Sequence, residues 1–206
     1  MPNNLVIITK GRFYTALNNM IYSYVLASAS SRRRDILVNL GINFEQIASD
    51  VDETVPAGAD PETAAAELAK SKAQTVLEKR PDSCIIGADT IVVIDGEVLG
   101  KPKDEGDAYR MLKMLSGRTH TVMTGVCVLY NHQERSFVQK TEVKFYDLTE
   151  EQIDRYILSG EPLDKAGAYG IQGLGCVLVE SINGDYFNVV GLPVARLHRE
   201  LESLDG

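Results

Sequence analysis

The sequence predicts an α/β protein in which helices cover a sheet. Three observations carry that expectation. Cys84-Ile85-Ile86-Gly87-Ala88 and Ile91-Val92-Val93-Ile94 are nearly continuous apolar runs, the pattern of a strand buried on both faces. Segments of helical period, with recognisable start and stop residues, are interleaved with β-rich runs. Two long β-rich runs, 119–130 and 136–147, are joined by Asn131-His132-Gln133-Glu134-Arg135, which fits an antiparallel hairpin.

Composition sets the bounds. The 206 residues suffice for one substantial domain or two small lobes with a real core. Hydrophobic residues make up 44% and charged residues 24%, ordinary for a globular chain. The formal net charge of -8 argues against nucleic-acid binding through a broad basic face, though a local basic cluster can still receive a small anion. Cys84, Cys127 and Cys176 are odd in number, far apart, and set in apolar strand-like runs. They read as buried thiols of a reducing compartment, most simply the cytoplasm. His120, His132 and His198 lack the spacing of zinc ligands. No apolar stretch is long enough to span a bilayer, so no membrane role is expected.

Taken in order, residues 1–19 have a broken apolar pattern and no secretory signal, and are expected to be an extension that is dispensable or poorly ordered. A single domain is expected over residues 20–206. Its first strand is Ile21-Tyr22-Ser23-Tyr24-Val25-Leu26-Ala27. Ser28-Ala29-Ser30-Ser31 then forms a strand-to-helix turn, followed by Arg32-Arg33-Arg34, a short apolar stripe (Ile36, Leu37, Leu40) and the stop Gly41. Arginines in a first helical turn oppose the helix dipole, which becomes sensible if a phosphate sits between them and the turn's amides. The bland alternative is a solvated basic face.

A strand over 42–48 leads to Asp50-Val51-Asp52-Glu53, a carboxylate cluster that could feed a metal or simply be wet. Asp60-Pro61-Glu62 starts a helix running to about 79. Lys72 falls on its apolar face, so it must either snorkel outward or point into a cleft. A helix over 104–115 precedes the hairpin. Thr149-Glu150-Glu151-Gln152 is a capping box that opens another helix. The segment 164–175 holds four glycines within nine residues, letting backbone approach a ligand. Asn183-Gly184 reads as a last hairpin turn and Leu192-Pro193 as the start of a terminal helix.

Asp89 is the first candidate for chemistry. It closes the first apolar run, where a carboxylate is costly unless a metal, a charge or hydrogen bonds meet it, and strand ends are where open α/β sheets bind ligands. The alternative is a carboxylate that only caps a local turn. Two motif-like stretches fail inspection. Gly96-Glu97-Val98-Leu99-Gly100-Lys101-Pro102 is one residue short of a Walker A loop and has Pro where Ser or Thr is required. The 167–175 glycines follow a helix and precede a strand, the reverse of a dinucleotide-binding fingerprint.

Leu26-Ala27-Ser28-Ala29-Ser30-Ser31-Arg32-Arg33, Gly87-Ala88-Asp89-Thr90, Gly100-Lys101-Pro102, Leu115-Ser116-Gly117 and Asp164-Lys165-Ala166-Gly167-Ala168-Tyr169-Gly170-Ile171-Gln172-Gly173 resemble, in this order, the Maf family of nucleoside triphosphate pyrophosphatases. One departure is Ser31, where the family usually has Pro; some turn rigidity is expected to be lost. The resemblance implies a mixed twisted sheet with flanking helices, in two lobes around a central cleft, commonly as a homodimer. It implies hydrolysis of a nucleoside triphosphate between the α- and β-phosphates with Mg²⁺ or Mn²⁺. The Lys165 to Gln172 wording looks like the subgroup acting on dTTP and UTP. By the same resemblance Asp89 is the proton acceptor, Arg32, Thr90 and Gln172 tune substrate choice, and Ser28, Arg33, Glu53, Lys72 and Lys101 complete the site. Asp89 and Glu53 are the expected metal ligands. The rival reading is a non-catalytic nucleotide sensor acting in septum formation, the process to which the family name is tied.

Overall fold

The computed structural model describes residues 23–56 and 58–205. The expected extension, residues 1–19, and the domain start at Met20 lie outside the described residues. Among those described, seven strands form one sheet. They are β1 (Tyr24–Ala27), β2 (Phe44–Gln46), β3 (Cys84–Ile94), β4 (Glu97–Leu99), β5 (Thr119–Tyr130), β6 (Gln133–Phe145) and β7 (Val179–Asn183). The order is β2-β1-β3-β5-β6-β7, with β4 on the far end of β3. β2, β1 and β3 run parallel, whereas β3, β5, β6 and β7 pair antiparallel, so the sheet is mixed as expected.

The helices are α1 (Ser31–Asn39), α2 (Pro61–Leu77), α3 (Glu105–Leu115), α4 (Glu150–Leu158), α5 (Tyr186–Val190) and α6 (Val194–Glu202). Their starts follow local chemistry. The Ser30 side chain caps α1, Asp60 caps α2 with Pro61 at its first position, and Thr149 and Gln152 close the reciprocal capping box of α4.

The two-residue period of β1 sorts the core. Tyr24 and Leu26 face α1 and α6 beside Ile36, Leu37, Leu197 and Leu201. Val25 and Ala27 face α2 through Ala69, Ala73 and Val76. A separate cluster joins Val92, Ile94, Leu112, Val143, Phe145, Ile153 and Tyr169 around α3 and α4. These are the cores of the two expected lobes, and β3 runs through both.

Several boundaries depart from expectation. Asp89 does not end its strand: β3 is continuous over eleven residues, because β5 pairs with it from Ile85 to Val93. What ends is β1, whose pairing with β3 stops at Ala27↔Gly87. The crevice beside Asp89 is therefore opened by the neighbouring strand. The β5–β6 turn needs only Asn131 and His132, both left-handed (φ 45 and 62), the geometry of a two-residue hairpin turn. β2 shrinks to three residues on the sheet edge. Asn183-Gly184 is no hairpin; the chain leaves β7 directly into α5, where Asp185 caps Phe187 N. Cys176 is exposed in a short 3₁₀ helix (Gly173–Leu178), unlike buried Cys84 and Cys127.

His120 lies wholly inside the second core, edge-on to Phe145 and Tyr169, with Nε2 2.7 Å from the Tyr169 hydroxyl. Burial holds its imidazole down to about 4. The unfolded chain therefore takes up this proton first as pH falls, and stability is lost between about pH 6.5 and about 4. Wild type should lose about 2 kcal/mol more than His120→Phe between pH 7.5 and 5, read by urea denaturation. Parallel pH profiles for the two proteins would refute this.

Candidate active site

Ser28, Arg32, Arg33, Glu53, Lys72, Asp89, Thr90, Lys101 and Gln172 all line one cleft of about 970 Å³ between the two cores. Six different segments deliver them, spread over most of the described chain.

The strand-to-helix turn builds one wall. The Ser28 hydroxyl accepts from Ser30 N at 3.2 Å and from Arg33 Nη1 at 3.1 Å. Arg33 is buried, donating also from Nε to the Gly191 carbonyl at 2.7 Å and from Nη2 to Thr90 Oγ1 at 2.9 Å. Burial pushes its guanidinium pKa down while the charge of Asp89 opposes that shift, and it remains a cation at neutral pH. The three arginines thus divide. Arg33 forms the floor, Arg32 stands at the rim 3.5 Å from Asp164, and Arg34 pairs with Asp35 in solvent. Only the last fits the bland reading of the basic run.

Thr90 is less free than its expected role suggests. It accepts from Arg33 and lies 2.9 Å from Thr124 Oγ1, which itself donates to the Asn188 carbonyl at 3.0 Å. Thr124 has spent its hydrogen on Asn188, so Thr90 donates to Thr124 and keeps only acceptor capacity for a ligand.

The ionic centre is the other wall. Lys72 points into the cleft rather than snorkelling, with its side chain only 4% exposed. Its Nζ donates at 2.5 Å to both Glu53 Oε1 and Asp89 Oδ1. Lys101 donates to the second oxygen of Glu53 at 2.6 Å. Burial alone would raise the Glu53 carboxyl, but the Lys101 and Lys72 hydrogen bonds outweigh it and hold it down to about 2. Of the acidic loop, only Glu53 enters this network; Asp52 turns back to cap Thr54.

The late glycine-rich segment closes the cleft. Gly167 and Ala168 are consecutive left-handed residues (φ 68 and 59), and Gly167 N donates to the Gly100 carbonyl at 3.0 Å. A Cβ on Gly167 would come within 2.9 Å of Val92, so this bend needs glycine. Gln172 is exposed at the cleft wall beyond it. Thr124, Asn188 and the Gly191 carbonyl were not singled out from sequence, and Asp164 only opened a motif with no role given to it. A backbone acceptor and buried threonines carry no sequence signal of a site.

A cleft lined by seven cationic side chains, Lys103, Arg110 and Lys165 besides the four already placed, with Asp89 buried among them and a glycine-shaped margin, suits a polyanionic small molecule. The family model described as Maf-like protein matches residues 23–204, and the chain belongs to that family. It is 50% identical over 182 residues to a protein of Bacillus cytotoxicus named dTTP/UTP pyrophosphatase, spanning 88% of this chain and 95% of that one. A dTTP/UTP pyrophosphatase of Bacillus cereus is 49% identical over 181 residues, with the same coverage. The Staphylococcus aureus Ham1 protein superposes more loosely, with a TM-score of 0.43 at 16% identity over 74% of this chain and 77% of that one.

Proposed function

We propose that this chain is a nucleoside triphosphate pyrophosphatase that hydrolyses dTTP and UTP between the α- and β-phosphates. The observation that carries the proposal is the Lys72 ammonium held between Glu53 and Asp89, with Lys101 on the far side of Glu53. In the free protein these charges satisfy one another. An entering triphosphate competes for the same lysines, and Arg32 and Arg33 add further charge from the opposite wall. Ser28 and the amides at the start of α1 contribute neutral donors. Drawing the lysines toward phosphate frees the carboxylates, and Asp89 is then placed to take a proton from the attacking water.

The donor set suits a hard divalent cation. Glu53 and Asp89 both reach one ammonium, and two carboxylates plus waters and phosphate oxygens form an ordinary Mg²⁺ or Mn²⁺ environment. Those two residues would hold the ion, which when bound supplies charge neutralisation and acidifies coordinated water. Gln172 offers both a donor and an acceptor group, which matches the O4/N3 edge of thymine or uracil. A cytoplasmic homodimer belongs to the same proposal, and sedimentation at monomer mass would reject the dimer. No described helix is long and apolar enough to cross a membrane.

The test is pyrophosphate release from a panel of nucleoside triphosphates, with Mg²⁺, Mn²⁺ or chelator. Metal-dependent turnover highest for dTTP and UTP is expected. Tight nucleotide binding with no hydrolysis under either metal would transfer the argument to the sensor reading.

A further inference from the structure

Glu161 lies outside the cleft lining, yet its carboxylate is the most heavily used acceptor near the segment that carries Gln172. Glu161 Oε2 accepts from Leu174 N at 2.9 Å, and Oε1 accepts from Gly175 N at 3.1 Å and from the Tyr156 hydroxyl at 2.9 Å. The Tyr156 oxygen in turn accepts from Gly170 N at 3.1 Å. Both ends of the stretch 170–175 are thereby tied to one Tyr-Glu pair from α4 and the turn after it. The stretch is moulded around the pair. A Cβ on left-handed Gly173 would lie 2.7 Å from Glu161 Oε2, and one on Gly175 would lie 2.6 Å from the Tyr156 hydroxyl. Between Gly170 and the tied Leu174 only Ile171 and Gln172 carry side chains, and both line the cleft.

We propose that Glu161 is a positioning residue that sets base discrimination: its carboxylate fixes the loop whose Gln172 reads the pyrimidine, without itself touching substrate. The inference rests on the substrate reading given above. An ionised carboxylate suits the task because it accepts three hydrogen bonds with no hydrogen of its own to place. Backbone amides and burial compete over its titration, and the donated hydrogen bonds keep its carboxyl below the usual range. Glutamine in its place keeps the shape but presents an NH₂ where a backbone N–H or the tyrosine hydroxyl already donates, so one end of the loop is released.

The experiment measures kcat and KM for dTTP, UTP and ATP in wild type, Glu161→Gln, Glu161→Asp and Tyr156→Phe. For Glu161→Gln the ratio of dTTP to ATP kcat/KM should fall about tenfold, mainly through a higher KM for dTTP. Tyr156→Phe should move the ratio the same way by less, and Glu161→Asp should restore part of it. A wild type that prefers dTTP while Glu161→Gln and Tyr156→Phe keep the full ratio overturns this inference alone. An equal loss on all three nucleotides also overturns it, since that is what a purely structural role would give. A wild type with no pyrimidine preference removes the substrate reading and this inference together. Should Glu161→Gln fail to fold, Tyr156→Phe decides.

Discussion

Asp89→Asn should lower kcat for dTTP by about 10³-fold while leaving the fold intact. The size follows from the proton-acceptor role proposed for Asp89, since losing such a group costs about 10² to 10⁴ in rate, and 10³ corresponds to about 4 kcal/mol in the barrier. Retention of the fold follows from the surroundings. Asn has the same shape, its Oδ1 can still accept from Lys72, and the backbone at this position pairs with Gly125 whatever the side chain. Lys72 also keeps Glu53 as a counter-charge, so no buried cation is left alone. The paired measurements are single-substrate kinetics and a thermal melt. A variant that melts with wild type and retains more than a tenth of its kcat would remove Asp89 from the proton-transfer role.

Much of this site could be read from sequence, and the reason is geometric. Asp89, Lys72 and the hydroxyl turn before Arg32 each break a local rule: a charge within an apolar strand, a cation on a packed helix face, a basic first turn. The structure resolves all three violations into one cleft. The fold was legible where period and caps agree, as in α2 and α4, and less so where pairing between distant segments decides. Nothing local says that β3 continues past Asp89, because the partner that sustains it, β5, lies some thirty residues on. The end of β7 was misread because Asn183-Gly184 has hairpin chemistry, but Asp185 starts a helix before a strand can form. The hydrogen-bond chain from Arg33 through Thr90 and Thr124 to Asn188 was invisible for another reason. Threonines in strands are ordinary, and only the fold brings these together.

Gly125→Ala should lower Tm by roughly 6–12 °C, equivalent to about 3 kcal/mol, the scale of overpacking a closed contact. A Cβ on Gly125 would stand 2.1 Å from the Ala65 carbonyl oxygen and 2.4 Å from its carbon. Gly87 meets the same helix one turn on, at 2.3 Å from the Ala69 oxygen. These are backbone atoms of α2, so no side chain can swing aside and the helix must lift. Ala65, Ala69 and Ala73 line the contact because nothing larger fits between two strands and a helix this close. Lifting α2 also draws Lys72 away from Asp89, so kcat/KM should fall with the melting temperature. Gly100→Ala is the stability control, since its added methyl meets nothing within 4 Å. The double variant Gly87→Ala/Gly125→Ala should cost less than the sum of its parts, because one displacement of the helix relieves both clashes. A Gly125→Ala protein melting within 2 °C of wild type would mean that α2 is free to shift, and that the lysine between the two carboxylates is not held there by the sheet beneath it.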